Sequence, residues 1–273
     1  MIRIKQLIDY LIDKGVQGIF ILGSNGEFHV IDEAEKIEFA KKVIEIVNHR
    51  VPVYVGTGCC STGETIRLSQ TMEKLGADAL SVITPYFLKP SDNDLYHHYK
   101  EVAESVTIPI ILYNIPKATG CPLSIELVNR LADIENIKAI KDSSGDMDNL
   151  IGYANIAKNK DFRLLVGSDS KISAAYELGA SGAVAGTSNV ITETLVNLDK
   201  ALRNNETDKA ARLQKDIDVL RGVLKLGTVP VVMKRACELA HIAPVGPARK
   251  PVQKLSEADD VRIKEMLAYY HLG

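Results

Sequence analysis

The stretch Asn136-Ile137-Lys138-Ala139-Ile140-Lys141-Asp142-Ser143-Ser144-Gly145-Asp146 alternates apolar and polar side chains and then breaks into a run of small polar residues. Because side chains alternate between the two faces of a β-strand, this pattern predicts a strand that ends near Lys141. Lys141 falls on the same face as Ile137 and Ala139, and we expect that face to point into a core. A lysine on a buried face is unusual unless it has a partner or a task.

Lys141 is therefore a candidate nucleophile. Desolvation disfavours the charged form of a buried amine and makes the neutral, nucleophilic form easier to reach. Such an amine can condense with a ketone to form a Schiff base. The alternative is that the ammonium group reaches water, or pairs with Asp142 or Asp146. The rest of the chain decides between these interpretations.

Composition narrows the class of protein. The chain has 273 residues, 46% of them apolar, with 33 basic against 35 acidic side chains. This balance offers no electrostatic surface for nucleic acid or an anionic membrane, so we expect small molecules and copies of the same chain as partners. The four cysteines show neither disulfide nor zinc-site spacing. With no membrane-span or signal pattern, we predict a cytoplasmic protein.

Short apolar runs alternate with helical patterns along most of the chain. The runs predicted as strands are 18–22, 51–55, 79–83, 108–113, 137–141, 163–166 and 182–185. The segments predicted as helices are 1–15, 33–47, 62–75, 94–104, 125–131, 150–157 and 171–178, followed by 193–202, 209–226, 229–241 and 256–270. Asp32, Ser61 and Ser124 are predicted N-caps. Strands and helices in this order indicate parallel βαβ units.

Seven such units predict an α/β protein with a (β/α)8 TIM barrel that lacks one strand. A dinucleotide-binding sheet is disfavoured because no GxGxxG turn follows the first strand. We predict the barrel over residues 1–204 and a C-terminal helical appendage over residues 205–273.

The carboxyl ends of barrel strands carry the functional groups. In this chain they offer an amine (Lys141), a phenol (Tyr113), hydroxyls and glycines, without converging histidines. We therefore expect no metal, and the pair Asp146 and Asp148 offers only a weak alternative as a hard-cation site. If the amine forms a Schiff base, its protonated imine is the electron sink, so we expect no organic cofactor. The Gly23-Ser24-Asn25-Gly26 turn follows a strand, so its N–H groups are a candidate anion site for a 2-oxo acid. The alternative is an ordinary glycine-rich turn.

Five motifs in order resemble the dihydrodipicolinate synthase/N-acetylneuraminate lyase family of pyruvate-handling barrels. They are Gly23-Ser-Asn-Gly-Glu27, Tyr113-Asn-Ile-Pro116 with Thr119-Gly120, Lys141-Asp-Ser-Ser-Gly145, Gly182-Ala-Val-Ala-Gly186 and Gly246-Pro-Ala-Arg249. The resemblance implies a class I aldolase in which Lys141 forms the Schiff base and Tyr113 moves protons. It also implies that the missing strand is the first strand of the barrel, and that the protein is a homo-oligomer, usually a tetramer.

The resemblance further implies four substrate-binding residues. Ser24 and Asn25 match the pair that binds the oxo acid, Ser143 follows the lysine, and Val184 is expected to form an apolar wall beside the imine. The alternative for Ser143 is a helix cap, and for Val184 a place in the barrel core.

Two departures bear on the substrate. The synthases carry an arginine that grips the carboxylate of aspartate semialdehyde where this chain has Ala118, and a proton-relaying tyrosine where it has Phe87. The neighbouring Lys117 is expected to point elsewhere. These differences argue against the synthase reaction and for an aldolase, a C–C lyase. Among aldolases, the motifs Gly-Ser-Asn-Gly-Glu-Phe and Lys-Asp-Ser-Ser-Gly-Asp most resemble those of the enzymes for 4-hydroxy-2-oxoglutarate and 2-keto-3-deoxy sugar acids. The alternatives are 4-hydroxy-tetrahydrodipicolinate synthase and a barrel that binds a 2-oxo acid without turnover.

Overall fold

The computed structural model describes residues 2–273. The strands are β1 Ile19–Ile21, β2 Val53–Gly56, β3 Ala79–Ile83, β4 Ile110–Asn114, β5 Ile137–Asp142, β6 Arg163–Val166 and β7 Gly182–Ala183. The helices of the first part are α1 Ile2–Asp13, α2 Glu33–Val47, α3 Thr62–Lys74, α4 Asp92–Glu104, α5 Pro116–Thr119, α6 Ile125–Leu131, α7 Met147–Asn159 and α8 Ile172–Glu177. They are followed by α9 Thr192–Arg203, α10 Thr207–Val223, α11 Val231–Leu239 and α12 Glu257–Tyr269.

Every strand and helix predicted from the sequence is present. The helix predicted from residue 1 is observed from Ile2, and Met1 lies outside the described residues. The short helix α5 was not predicted, because four residues carry no helical period. The three predicted N-caps are confirmed: Asp32, Ser61 and Ser124 each accept a hydrogen bond from the backbone N–H three residues later.

The chain divides into two compact units, one made of the residues up to Val51 with Ala185–Gly273 and the other of Pro52–Val184. The first contains β1, α1, α2 and α9 to α12, and the second contains β2 to β7 with α3 to α8. The domain boundary expected after residue 204 stays a prediction.

In the unit Pro52–Val184, strands β2 to β7 pair in parallel and in sequence order. A helix lies between each pair of successive strands, as a parallel connection requires. The predicted α/β class with a parallel sheet is thereby confirmed. The closed eight-strand barrel, the missing first strand and the separate helical appendage stay predictions.

One face of this sheet carries a small apolar cluster of Ala79, Ile111 and Ala139, with Tyr54 and Leu165 packed against it. Because alternate residues of a strand share a face, the residues two positions after Ile111 on β4 and Ala139 on β5 lie on this same face. The sequence places Tyr113 and Lys141 there. The sheet therefore sets both side chains one step above a packed apolar layer, at the carboxyl ends of neighbouring strands.

Among the helices of residues 2–273, none combines the length and hydropathy that a membrane span requires.

His98 on α4 generates a prediction about stability and pH. Its Nδ1 lies 2.9 Å from the Thr62 hydroxyl, and its buried Nε2 has no hydrogen-bond partner in the described residues. Burial lowers the pKa of His98 to about 4, against about 6.5 for an exposed histidine. The folded protein therefore disfavours protonation of the His98 imidazole. The neutral imidazole makes its full contribution to the free energy of unfolding above about pH 6.5, and this contribution is lost as the pH falls towards 4.

We expect His98→Gln to flatten the fall in the free energy of unfolding between pH 7 and pH 5, because the variant has no imidazole to protonate. Urea unfolding of both proteins at several pH values measures the difference, which is at most about 1.4 kcal/mol for each pH unit. Replacement of the exposed His97 is the matched control. Parallel curves for the His98 variant and the wild type would contradict the assignment.

Candidate active site

Tyr113 and Lys141 are direct neighbours across the β4–β5 ladder. Both are buried, with exposed fractions of 4% and 6%. The Lys141 Nζ lies 3.9 Å from the centroid of the Tyr113 ring, which is within the range of a cation–π contact. The structure thus brings the predicted amine and the predicted phenol together, away from bulk solvent.

Gly167, directly after β6, leaves the space that the Lys141 side chain fills. A Cβ at Gly167 would lie 2.9 Å from the Lys141 Cε and 2.0 Å from the Ser143 Oγ. The Gly167 N–H also donates to the Asp142 carbonyl at 2.7 Å, which fixes this close approach. Gly167 directly follows the strand predicted over residues 163–166, but the sequence did not identify it as a site residue. A glycine beside the strand that carries the lysine was the available signal.

A buried polar network lies next to the lysine. The Asn114 amide donates to one oxygen of Asp142 at 2.8 Å, and the Ser144 hydroxyl donates to the other at 2.7 Å. The Tyr153 hydroxyl donates to the Leu123 carbonyl at 2.5 Å and lies 3.3 Å from the Asn114 amide nitrogen. The carboxylate following Lys141 therefore has two side-chain donors of its own.

Burial dominates the ionisation of this network. It raises the pKa of Asp142 above its ordinary value, although the hydrogen bonds from Ser144 and Asn114 oppose the shift. Burial, and then the neighbouring Asp142 carboxylate, raise the pKa of Tyr153. In the predicted alternative, Lys141 pairs with Asp142. Asn114 and Ser144 compete with Lys141 for the two oxygens of that carboxylate.

Ser143 and Val184 lie in the same unit as the catalytic candidates. The Ser143 N–H donates to the Asn114 carbonyl at 2.8 Å, so Ser143 extends the hydrogen-bonded ladder between β4 and β5 by one residue. Ser143 does not cap α7, because Asp146 is the N-cap of that helix. The Val184 N–H donates to the Val166 carbonyl at 2.8 Å. Their substrate contacts stay predictions.

Ser24 and Asn25 lie in the other compact unit, on a 3₁₀ turn after β1. The N–H groups of Gly26 and Glu27 donate inside this turn, to the Gly23 and Ser24 carbonyls at 2.9 and 3.2 Å. Because these two N–H groups donate to carbonyls of the turn itself, fewer backbone donors are left to bind an anion than the sequence suggested. The Ser24 and Asn25 side chains stay the predicted donors.

The expectation that Lys117 points away from the second substrate stays a prediction. Its Nζ lies 3.9 Å from the position that a Cβ on Gly145 would occupy, and Gly145 belongs to the turn after Lys141. The Ser168 Oγ lies 3.5 Å from the same position. In the described residues no carboxylate pairs with Lys117, while the adjacent Ala118 is exposed and carries no polar group.

The end of β3 carries two aromatic residues in different environments. Tyr86 is partly buried, and this burial together with the nearby Cys60 thiol raises its pKa to about 12. Phe87 is 86% exposed and has no group that transfers a proton. Among residues 2–273, no cluster of three or more His, Cys, Asp or Glu side chains is placed to hold a metal ion.

Curated relatives cover nearly all of the chain. The 4-hydroxy-tetrahydrodipicolinate synthase of Moorella thermoacetica is 34% identical over 263 residues, which cover 96% of this chain and 89% of the relative. The names of such relatives favour the synthase alternative over the interpretation drawn from Ala118 and Phe87.

Solved structures agree in fold. The chloride-inhibited dihydrodipicolinate synthase of Acinetobacter baumannii, solved with pyruvate, superposes with a TM-score of 0.94 at 31% identity, covering 99% of this chain and 92% of that one. YagE of E. coli K12, a prophage protein of the dihydrodipicolinic acid synthase family also solved with pyruvate, gives a TM-score of 0.94 at 35% identity, covering 98% and 92%.

The model of the dihydrodipicolinate synthetase family matches residues 2–269. Together with the relatives, this match confirms the resemblance found in the five sequence motifs. The chain belongs to the dihydrodipicolinate synthetase family, whose members are carbon–carbon lyases of the aldolase type.

Proposed function

We propose that this protein binds pyruvate as an imine on Lys141 and joins the bound pyruvate to an aldehyde, or catalyses the reverse cleavage. The observation that carries the proposal is the buried Lys141 amine over the ring of Tyr113. Two structural neighbours were solved with pyruvate, which supports this 2-oxo acid as the first substrate.

In the proposed reaction the Lys141 amine adds to the keto carbon and water leaves as the imine forms. The protonated imine withdraws electrons, so the adjacent methyl group can lose a proton and attack the aldehyde carbon. Tyr113 is proposed to move protons at the carbinolamine and at the substrate oxygen, as a positioned general acid and base. By the resemblance, Ser24 and Asn25 bind the carboxylate, Ser143 contacts the substrate and Val184 walls the imine. No metal or organic cofactor takes part in the proposed scheme.

The aldehyde separates two candidate reactions. The names of the curated relatives favour aspartate semialdehyde and therefore 4-hydroxy-tetrahydrodipicolinate synthesis. Ala118 and Phe87 instead favour an aldolase, because Ala118 cannot hold a carboxylate with two hydrogen bonds. The motif resemblance then points to 4-hydroxy-2-oxoglutarate or a 2-keto-3-deoxy sugar acid. The homo-oligomer and the cytoplasmic location stay predictions.

Borohydride reduction in the presence of pyruvate tests the imine. We expect mass mapping to find a stable adduct on Lys141, and Lys141→Met to abolish it. Lys138→Met is the matched control, since Lys138 lies on the same strand but pairs with Asp161 at 2.6 Å. Tyr113→Phe should still form the adduct, with kcat lowered by about 10²- to 10⁴-fold.

Absence of an adduct on Lys141 in the wild-type protein would leave only the 2-oxo-acid-binding barrel. Turnover assays then distinguish the two candidate reactions. A synthase forms product from pyruvate and aspartate semialdehyde. An aldolase releases pyruvate from 4-hydroxy-2-oxoglutarate or a 2-keto-3-deoxy sugar acid.

Gly167→Ala tests the space around the amine. The added methyl group would overlap the Ser143 hydroxyl and crowd the Lys141 Cε, so we expect imine trapping to fall by at least about tenfold. Gly63→Ala is the control, because its nearest neighbour would be 3.8 Å away. Normal trapping by the Gly167 variant would show that the lysine does not need this space.

Lys117→Met tests recognition of the second substrate. The Lys117 Nζ lies close to the Gly145 turn, and an ammonium group can bind a substrate carboxylate as a point charge. We expect the KM for aspartate semialdehyde to rise by about tenfold while pyruvate trapping stays unchanged. Ala118→Arg should have the opposite effect on KM. An unchanged KM in both variants would exclude this face of the turn from aldehyde binding.

A further inference from the structure

Glu27 follows the turn that carries Ser24 and Asn25. Both its backbone conformation and its burial are unusual for a glutamate. Its φ of 57° lies in the left-handed region, which a non-glycine residue rarely adopts. Its side chain is also buried, with the whole residue only 4% exposed. Both features are stable only when surrounding contacts hold them.

Both oxygens of the Glu27 carboxylate have partners from the distant C-terminal part of the same unit. The Lys234 Nζ donates to Oε2 at 2.6 Å, and the backbone N–H of Arg249 donates to Oε1 at 2.6 Å. The Lys234 Nζ also donates to the Pro247 carbonyl at 3.0 Å. One lysine therefore binds the turn and the segment Gly246–Arg249 together.

The segment Gly246–Arg249 is itself fixed by carboxylates at both ends. The Gly246 N–H donates to the Glu238 Oε1 on α11 at 2.9 Å. At the other end, the Arg249 guanidinium pairs with Glu35 on α2. The donors that reach Glu27 thus come from an anchored piece of chain.

The same turn is constrained on its other side. A Cβ at Gly186 would lie 2.7 Å from the Asn25 amide nitrogen, so this backbone and the Asn25 side chain are in close contact. The Glu27 N–H donates to the Ser24 carbonyl and closes the turn. The backbone at Gly186 therefore packs against the Asn25 side chain, while Glu27 holds the Ser24 carbonyl through its N–H and the rest of the chain through its carboxylate.

We propose that Glu27, with Lys234 and the N–H of Arg249, is a positioning residue that holds the Ser24 and Asn25 side chains in the geometry that binds the pyruvate carboxylate. This inference rests on the proposed function, in which those two side chains bind the 2-oxo acid. Glu27 itself has no donor to offer a carboxylate, so it acts through the turn.

The test compares pyruvate binding with folding in Glu27→Gln and Lys234→Met. Removal of one member of a buried pair leaves the other without its partner, so the two changes should not be additive. We expect each single variant to raise the half-saturating pyruvate concentration for borohydride trapping by about tenfold, with the amplitude at saturation within about twofold of wild type. The double variant should be no worse than the single variants.

Two further variants sharpen the test. Lys234→Arg keeps the positive charge and should bind pyruvate nearly as well as the wild type. Glu35→Gln removes the exposed partner of Arg249 while leaving Glu27 unchanged, and should alter half-saturation by less than about twofold. Thermal unfolding of every variant measures the structural effect separately.

The outcomes are distinguishable. If Glu27→Gln and Lys234→Met lower only the unfolding temperature and leave half-saturation unchanged, while Ser24→Ala weakens pyruvate binding, the positioning role is overturned and the proposed function stands. If Ser24→Ala leaves pyruvate binding unchanged, both the assigned role of the turn and this inference fail. Absence of any Lys141 adduct in the wild-type protein overturns the proposed function itself.

Discussion

The contact between the Lys141 amine and the face of the Tyr113 ring is the feature on which the candidate site depends. It exists because two adjacent parallel strands end in register, with one long cationic side chain and one aromatic side chain on the same face. An apolar layer lies below the pair, and a glycine leaves room beside it. The proposed nucleophile is thus shielded by packing that also stabilises the fold.

Much of this arrangement follows from local pattern. The alternation around Lys141, the βα rhythm and the caps at Asp32, Ser61 and Ser124 are encoded within a few residues, and they were predicted correctly because periodicity and capping are local physics. The pairing of Tyr113 with Lys141 needed the family resemblance, since only the register of β4 against β5 brings the two residues together.

Other parts of the site could not be predicted from local pattern. The narrow space beside Gly167 depends on how β5 and β6 approach each other, and the direction of Lys117 depends on the unpredicted helix α5. The ion pair of Glu27 with Lys234 joins residues 207 positions apart. A single sequence carries no periodic signal for contacts over such separations.

The bond between Arg249 and Glu27 spans 222 positions of the chain, and this separation has a consequence for biosynthesis. A ribosome releases the turn that carries Glu27 before it releases the segment Gly246–Arg249. The nascent polypeptide therefore lacks the donors that stabilise the buried Glu27 until Lys234 and Arg249 have been added. A product terminated before Lys234 would contain Lys141 but leave the strained turn without its anchor.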